Sequence, residues 1–336
     1  MMLNNIETRK VQQTGGSSFI VSLPKEWIET HRIQPKDSIG ILTQPDGTLL
    51  ITPYSSSQEI MKEKQIDVDE IQDSHFLFRL LIGAYIMGYT VIIVKSSKKF
   101  EPFVRDSVIN FTRIAIGPEI EEESNNYIKI KDLVNAKEMP FEKTIKRMYI
   151  LGQGMYEDAL TALKTGNREL AEEVIKRDNE VDRLHWLIGR QANIVFNDII
   201  LSQKMGVSLS QASQFHFLSK FLERIADHAV SIAKNAINLL KLKFDAIIIQ
   251  KILEVSKFSI ELLDKSMDAW RNKDIRQANQ NIERVLDLIL KCEEISLNPN
   301  DEDVATFIGI SSILESIRRI SEYSGDICEI IINTLV

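Results

Sequence analysis

After Pro140 the chain runs to Val336 with one further proline, Pro299, and few glycines. Apolar residues recur there at three- and four-residue spacing, and no stretch alternates like a strand. A segment so long and so free of breakers can only become helices that bury their apolar stripes against one another. The pattern divides into helices over 141–165, 168–202, 209–242, 245–272, 274–296 and 301–335, six in two sets of three. The stops are local: Lys164-Thr-Gly166-Asn167, Asn272-Lys-Asp274, and Asn298-Pro299-Asn300-Asp301, where Asp301 is a ready N-cap.

The two sets look alike, as an internal duplication would. The first helix of each leads into a short turn, Leu163-Lys-Thr-Gly-Asn167 and Trp270-Arg-Asn-Lys-Asp274. The third helices read Phe221-Leu-Glu-Arg-Ile-Ala-Asp-His228 and Ile320-Ser-Glu-Tyr-Ser-Gly-Asp-Ile327. Both carry Glu-x-x-x-Asp in the same register, Glu223 with Asp227 and Glu322 with Asp326. Residues four apart share one helix face, and like charges there repel by a few tenths of a kcal/mol, roughly. The pair is therefore not chosen for helix stability, and its recurrence points to a function.

Leu222-Glu-Arg-Ile-Ala-Asp-His-Ala229 and Arg177-Asp-Asn-Glu-Val-Asp-Arg-Leu184 resemble the third- and second-helix motifs of PhoU proteins. The resemblance covers roughly residues 140 to 336. It implies two three-helix repeats, 140–242 and 243–336, a role in regulating phosphate uptake, and acidic motifs able to hold multinuclear metal clusters. Packed antiparallel, the helices could bring Asp178, Asp182, Glu223 and Asp227 face to face. Four carboxylates cannot all stay ionised there without a counter-charge. A cation is one source, and Mg, Mn, Zn or Fe are the candidates. An oxygen-only set suits hard ions such as Mg²⁺, Ca²⁺ or Mn²⁺, and tolerates iron. Glu322 and Asp326 are the corresponding candidates in the second repeat. Aligning Asn167 on Asp274, however, places Val285 and Ile289 where Asp178 and Asp182 stand, with Glu283 and Asp287 off register. The second copy is thus degenerate. The plain alternative is surface ion pairing, since Lys176, Arg177, Arg183, Lys220 and Arg224 lie alongside.

No catalytic constellation emerges. Asp182 and His185 have the i,i+3 spacing of di-iron bundles, but the other helices do not complete that set. His228 follows Asp227 directly and points elsewhere, and His216 has no acidic neighbour at three or four residues. Gly15-Gly16 is too short for a phosphate-cradling loop, and no Gly-Lys-Ser/Thr follows it. Cys292 and Cys328 sit in apolar helical patterns and read as buried reduced thiols. The expectation is a non-enzyme.

Residues 1–54 read differently, as short strands around one helix. The strand candidates are Val11, Phe19 to Leu23, Ile39 to Leu42 and Leu49 to Thr52, with a helix through Trp27 and Ile28 that Pro24 opens. Pro45-Asp46-Gly47 is the hairpin turn between the last two strands. Residues 6 to 53 resemble an AbrB-type swapped-hairpin DNA-binding domain. The carrying residues are Arg9-Lys-Val11, the run Gly16-Ser-Ser-Phe-Ile-Val-Ser-Leu-Pro-Lys-Glu-Trp27, and Ile33-Gln-Pro-Lys-Asp37. The resemblance implies a dimer, because a unit this small has too little core alone. Where that family has glycine, Lys36 stands, so either the turn differs there or Lys36 accepts an awkward backbone angle. DNA contacts would come from Arg9, Lys10 and Lys25 with Gln12, Ser17 and Ser18, chiefly to phosphates. Arg9, Lys10, Lys25, Arg32 and Lys36 are balanced by Glu7, Glu26, Glu29, Asp37 and Asp46, so the segment is neutral.

Between these parts, a linker from Pro53-Tyr-Ser-Ser-Ser and a charged stretch lead to a small α/β segment over 70–135. Helices from Asp73 to Met87 and from Glu101 to Thr112 alternate there with strands at Thr90 to Lys95 and Tyr127 to Ile130. The acidic run Glu119 to Glu123 reads as a solvated loop.

The fold class is thus multidomain: a small β/α swapped-hairpin unit, a short α/β segment, and an all-α pair of three-helix bundles, and the two resemblances together imply an archaeal-like arrangement. The expected function is a DNA-binding regulator of phosphate uptake or homeostasis, working as a homodimer or higher homo-oligomer on duplex DNA. The alternative is an adaptor that docks on phosphate-transport or signalling proteins and uses its β-unit only to dimerise. With 336 residues, 44% hydrophobic content and a net charge of −7, the chain can form real cores and lacks the basic surplus of a protein devoted to nucleic acid. No transmembrane segment and no signal peptide are seen, and a cytoplasmic location is expected.

Overall fold

A computed structural model describes residues 7–44, 47–53, 62–134, 139–240, 246–295 and 304–336. The chain forms two compact units, residues 1–60 and 61–336.

In the first unit β1 (Gln12–Thr14) and β2 (Ser18–Ile20) form an antiparallel ribbon, Gln13 opposite Phe19. Gly15 and Gly16 join them at φ 57° and 76°, a left-handed turn that side chains disfavour. Pro24 is the N-cap of α1 (Lys25–Thr30), just outside the first turn. β3 (Gly40–Thr43) and β4 (Leu49–Thr52) form a second ribbon, Ile41 opposite Ile51. Lys36 takes φ 82°, the second of the two alternatives open to it. No described residue of this unit is buried. Val11, Phe19, Ile20, Val21, Ile41 and Leu49 all stand exposed. Pro45 and Asp46 of the hairpin turn, and the linker after Pro53, lie outside the described residues.

The second unit opens with an α/β layer. Its elements are β5 (Glu63–Asp67), α2 (Ser74–Ile86), β6 (Val91–Lys95), α3 (Pro102–Ile114), β7 (Pro118–Glu123) and β8 (Tyr127–Asp132). The strand order is β5-β6-β8-β7, with β5 and β6 parallel and the other pairs antiparallel. Leu77, Leu81 and Tyr85 of α2 and Val104, Val108 and Phe111 of α3 share a core with Ile92, Val94, Ile128 and Ile130 of the sheet. Two features correct the sequence reading. The charged stretch before residue 70 supplies β5, whose Ile66 reaches the core. The acidic run is not a loop but strand β7, bulged between Ile120 and Glu122. Its charge is met across the ladder: Glu121 lies 2.8 Å from Lys129 and 2.9 Å from Lys131, while Arg105 reaches Glu123 at 2.6 Å. Opposite charges on neighbouring strands make a charged edge strand tolerable.

Among the described residues seven helices follow: α4 (Phe141–Thr165), α5 (Arg168–Asn197), α6 (Ile199–Met205), α7 (Leu209–Leu239), α8 (Ala246–Asn272), α9 (Ile275–Glu293) and α10 (Val304–Leu335). The expected second helix breaks at Asp198, whose carboxylate caps α6 by accepting from Leu201 N at 2.9 Å. Three other starts are also capped, by Asn167 on Leu170, Asp274 on Gln277, and a Ser208–Gln211 capping box. Pro299 and the expected cap Asp301 lie outside the described residues. One hydrophobic core runs through both repeats, from Phe141 to Ile327. Cys292 and Cys328 are buried free thiols within the bundle.

Candidate functional site

Helices α5 and α7 pack along their length and set the acidic motifs against each other. The apolar residues Val174, Val181 and Leu184 of α5, and Leu222, Ile225 and Ala226 of α7, are buried in the core. That fixes the rotation of each helix and leaves Asp178, Asp182, Glu223 and Asp227 half-buried at its margin. The two α5 carboxylates feel the other acidic groups. Burial, then the charges of Asp227 and Glu223, raise the Asp178 carboxyl to about 6. Burial, then Asp178, Glu223 and Asp227, raise Asp182 to about 7. Asp178 Oδ1 is buried with no hydrogen-bond partner. Glu223 accepts from Lys220 Nζ at 2.8 and 2.9 Å, and Asp227 from Arg224 at 3.2 Å.

This arrangement differs from a formed metal centre. The donor chemistry is right, four hard oxygen ligands, and Asp178 offers an unsatisfied acceptor. Yet Glu223 and Asp227 are turned onto their own helix's cations. Among the described residues no three His, Cys, Asp or Glu side chains converge as ligands of one ion. As the side chains stand, they do not fit a metal ion. Lys220 and Arg224 supply counter-charge to Glu223 and Asp227, and the raised pKa values of Asp178 and Asp182 ease their protonation.

In the second repeat Glu322 is paired with Arg318 and, at 2.6 Å, with Arg319. Asp326 is pushed up by burial, with Glu329 and Glu322 adding to the effect. Val285, which aligns with Asp178, is buried and its Cγ2 lies 3.6 Å from where a side chain on Gly325 would begin. An apolar contact thus occupies the place of the second-helix carboxylate.

The three histidines of the bundle pack against neighbouring side chains. His185 Nδ1 lies 2.9 Å from Ser219 Oγ, and its ring stacks on His216 at 5.6 Å. Burial, then Lys220 and His216, hold His185 down to about 3, so it stays neutral. His228 faces Tyr323 across the α7–α10 seam.

Sequence reasoning missed one polar contact deep in the unit. Arg190 of α5 pairs with Asp132 at the end of β8 at 2.6 Å, both under 10% exposed. Its guanidinium also donates to the carbonyls of Tyr85 and Tyr89 at 2.7 and 2.9 Å, which close the end of α2. Asn193 donates to Ile86 O at 3.0 Å. The helix that carries Asp178 and Asp182 is therefore bolted to the α/β layer. The available signal was an arginine inside the apolar run Leu187-Ile-Gly-Arg-Gln-Ala192.

In the first unit, Arg9 and Lys10 precede β1, and both are exposed. Arg9 is paired with Glu7, and Lys25 lies 3.5 Å from Glu29. Gln12 and Ser18 share one face of the β1–β2 ribbon, since strand neighbours alternate and Gln12 pairs with Ile20 and Thr14 with Ser18. Ser17 stands in the exposed turn beside Gly16.

Residues 145–236 match the PhoU domain family, and residues 12–59 match the family described as antidote-toxin recognition MazE, bacterial antitoxin. A phosphate-specific transport system accessory protein PhoU homolog of Clostridium acetobutylicum is 31% identical over 147 residues, 42% of this chain and 64% of that protein, so under two thirds of that relative is spanned. A PhoU homolog of Caulobacter vibrioides is 23% identical over 193 residues, 56% of this chain and 83% of the relative. An uncharacterized protein of Methanocaldococcus jannaschii is 22% identical over 241 residues, 70% of this chain and 77% of its own. Among solved structures, PhoU from Pseudomonas aeruginosa aligns with a TM-score of 0.47 at 19% identity, covering 57% of this chain and 93% of that one.

Proposed function

We propose that the chain, a PhoU-family regulatory protein with an N-terminal swapped-hairpin domain of the AbrB/MazE kind by its matches, is a homodimeric, DNA-binding regulator of phosphate uptake. Its matches are to a PhoU domain and to an accessory protein of phosphate-specific transport, which supports a regulator rather than an enzyme. The observation that carries the proposal is the first unit's missing core. Its described residues bury nothing, while Phe19, Ile20, Val21 and Ile41 stay exposed. A second copy interleaving its hairpins would bury them, and would place two sets of Arg9, Lys10, Gln12, Ser17, Ser18 and Lys25 on one body. Such a surface would hold duplex DNA mainly by its phosphates. The helical half would then report phosphate status, with Asp178, Asp182, Glu223 and Asp227 as the responsive site and Glu322 and Asp326 as its reduced copy. A divalent or iron ion would enter only by displacing Lys220 and Arg224 from the carboxylates. No helix among the described residues is long and apolar enough to cross a membrane, and we assign the protein to the cytoplasm.

The test is salt-dependent retardation of duplex DNA by the purified protein. Arg9→Ala with Lys10→Ala should weaken it, and selection of bound genomic fragments should recover genes of phosphate transport. Absence of binding to any genomic fragment would rule out the role. One observation favours an adaptor instead: Arg9 and Lys25 already lie beside Glu7 and Glu29, which lowers the free positive charge. An adaptor would dimerise normally, ignore DNA, and co-purify with a phosphate-transport protein.

A further inference from the structure

The loop after α1 carries basic residues at two places where the backbone favours glycine. His31 caps the helix, and Arg32 takes φ 54°. Further on, Asp37 N donates to Gln34 O at 3.0 Å and closes a turn over Pro35 and Lys36. Proline second and a left-handed residue third, here Lys36 at φ 82°, make a type II turn, whose third position is ordinarily glycine or asparagine. A lysine there is strained by its Cβ. If the loop had only to turn, glycine would serve it better.

The side chains point to a reason. Both are exposed, and among the described residues neither is in an ion pair. The Asp37 carboxylate is engaged by Gln34 N at 2.7 Å. Of the unit's basic residues, Arg9 meets Glu7 and Lys25 lies beside Glu29. Among the described residues, Lys10, Arg32 and Lys36 are in no ion pair, and two of the three stand in this loop.

We infer that Arg32 and Lys36 are phosphate-gripping residues for duplex DNA, a second contact point beyond the strand end that holds Arg9 and Lys10. The inference rests on the DNA-binding reading above. An ammonium on a flexible stem is suited to a phosphate rather than a base edge, and dimerisation would present each loop twice.

The experiment measures anisotropy of a labelled mixed-sequence duplex with the full-length protein across a salt series, alongside thermal melting. Lys36→Gly should melt higher than the wild type, because the strained angle is relieved. Its slope of log affinity against log salt should be shallower by about two, since each of two lysines releases about 0.9 counterion. Lys36→Arg should keep the slope. If the wild type binds and Lys36→Gly leaves the slope unchanged, the inference is overturned and DNA binding stands. A lower melting temperature for Lys36→Gly would overturn the argument from strain. If the wild type binds no duplex at all, or binds only an acidic protein, both readings fall together.

Discussion

Asp182 is held in a place that resists its charge. Burial comes first, and three neighbouring carboxylates add to it, so its folded pKa is about 7 against an ordinary 3.8. The sign follows from proton binding. Between these values the folded state holds a proton that the unfolded chain has lost, so stability falls as pH rises through the window and is flat above it. Asp178 acts in the same direction up to about 6. Replacing Asp182 by Asn should therefore stabilise the protein at pH 8 by about 1–2 kcal/mol, after discounting for its partial exposure. Denaturation curves at pH 8 and pH 5 check this: the gain should be smaller at pH 5, and an equal gain at both would mean the shift is not electrostatic. Arg190 presents the opposite case, a buried charge that is fully engaged. Arg190→Met leaves Asp132 buried without its cation, which should cost about 3–5 kcal/mol. Adding Asp132→Asn should recover part of that loss in the same urea titration.

At the level of elements, the duplication extends to the way helices end. Gly166 closes α4 at φ 66°, and Lys273 closes α8 at φ 53°. The first repeat uses the residue the left-handed cap favours, and the second does not. Lys273→Gly should stabilise the chain by about 1 kcal/mol, seen as a small rise in melting temperature. No rise would mean that the lysine stem compensates by packing. The elements that could be read from the sequence are those whose signal is local. The six long helices follow from spacing and caps, and the turn at Gly15-Gly16 from its glycines. β7 was unreadable for a physical reason: five acidic or apolar residues in a row look solvated until Lys129 and Lys131 lie across from them. β5 was hidden in the same way, since an edge strand needs only one inward residue, here Ile66.

For the whole molecule, association is the property that most needs measurement. Phe19 is 69% exposed and Ile41 is 59% exposed in a unit with no buried described residue. Burying a phenylalanine side chain is worth about 1.5–3 kcal/mol, and a symmetric pair buries two. Phe19→Asp should therefore raise the dimer dissociation constant by well over roughly tenfold in sedimentation experiments, and weaken DNA retardation with it. A wild type that sediments as a monomer at micromolar concentration would remove the basis for the assembly.

Some of this protein was settled along the chain. Breaker-free periodicity made the helical half, the repeated Glu-x-x-x-Asp marked its two third helices, and Pro35-Lys-Asp37 marked a turn. These depend on residues within a few positions of one another, so sequence order is enough. Whether Asp178 and Asp182 meet Glu223 and Asp227, which carboxylate finds a cation, and that α5 is fastened to the α/β layer through Arg190 were decided only by tertiary structure. Those facts depend on which faces of distant segments come together and how far water is excluded between them. The charge state of a carboxylate is set by that exclusion and by its neighbours in space, neither of which spacing along the chain records.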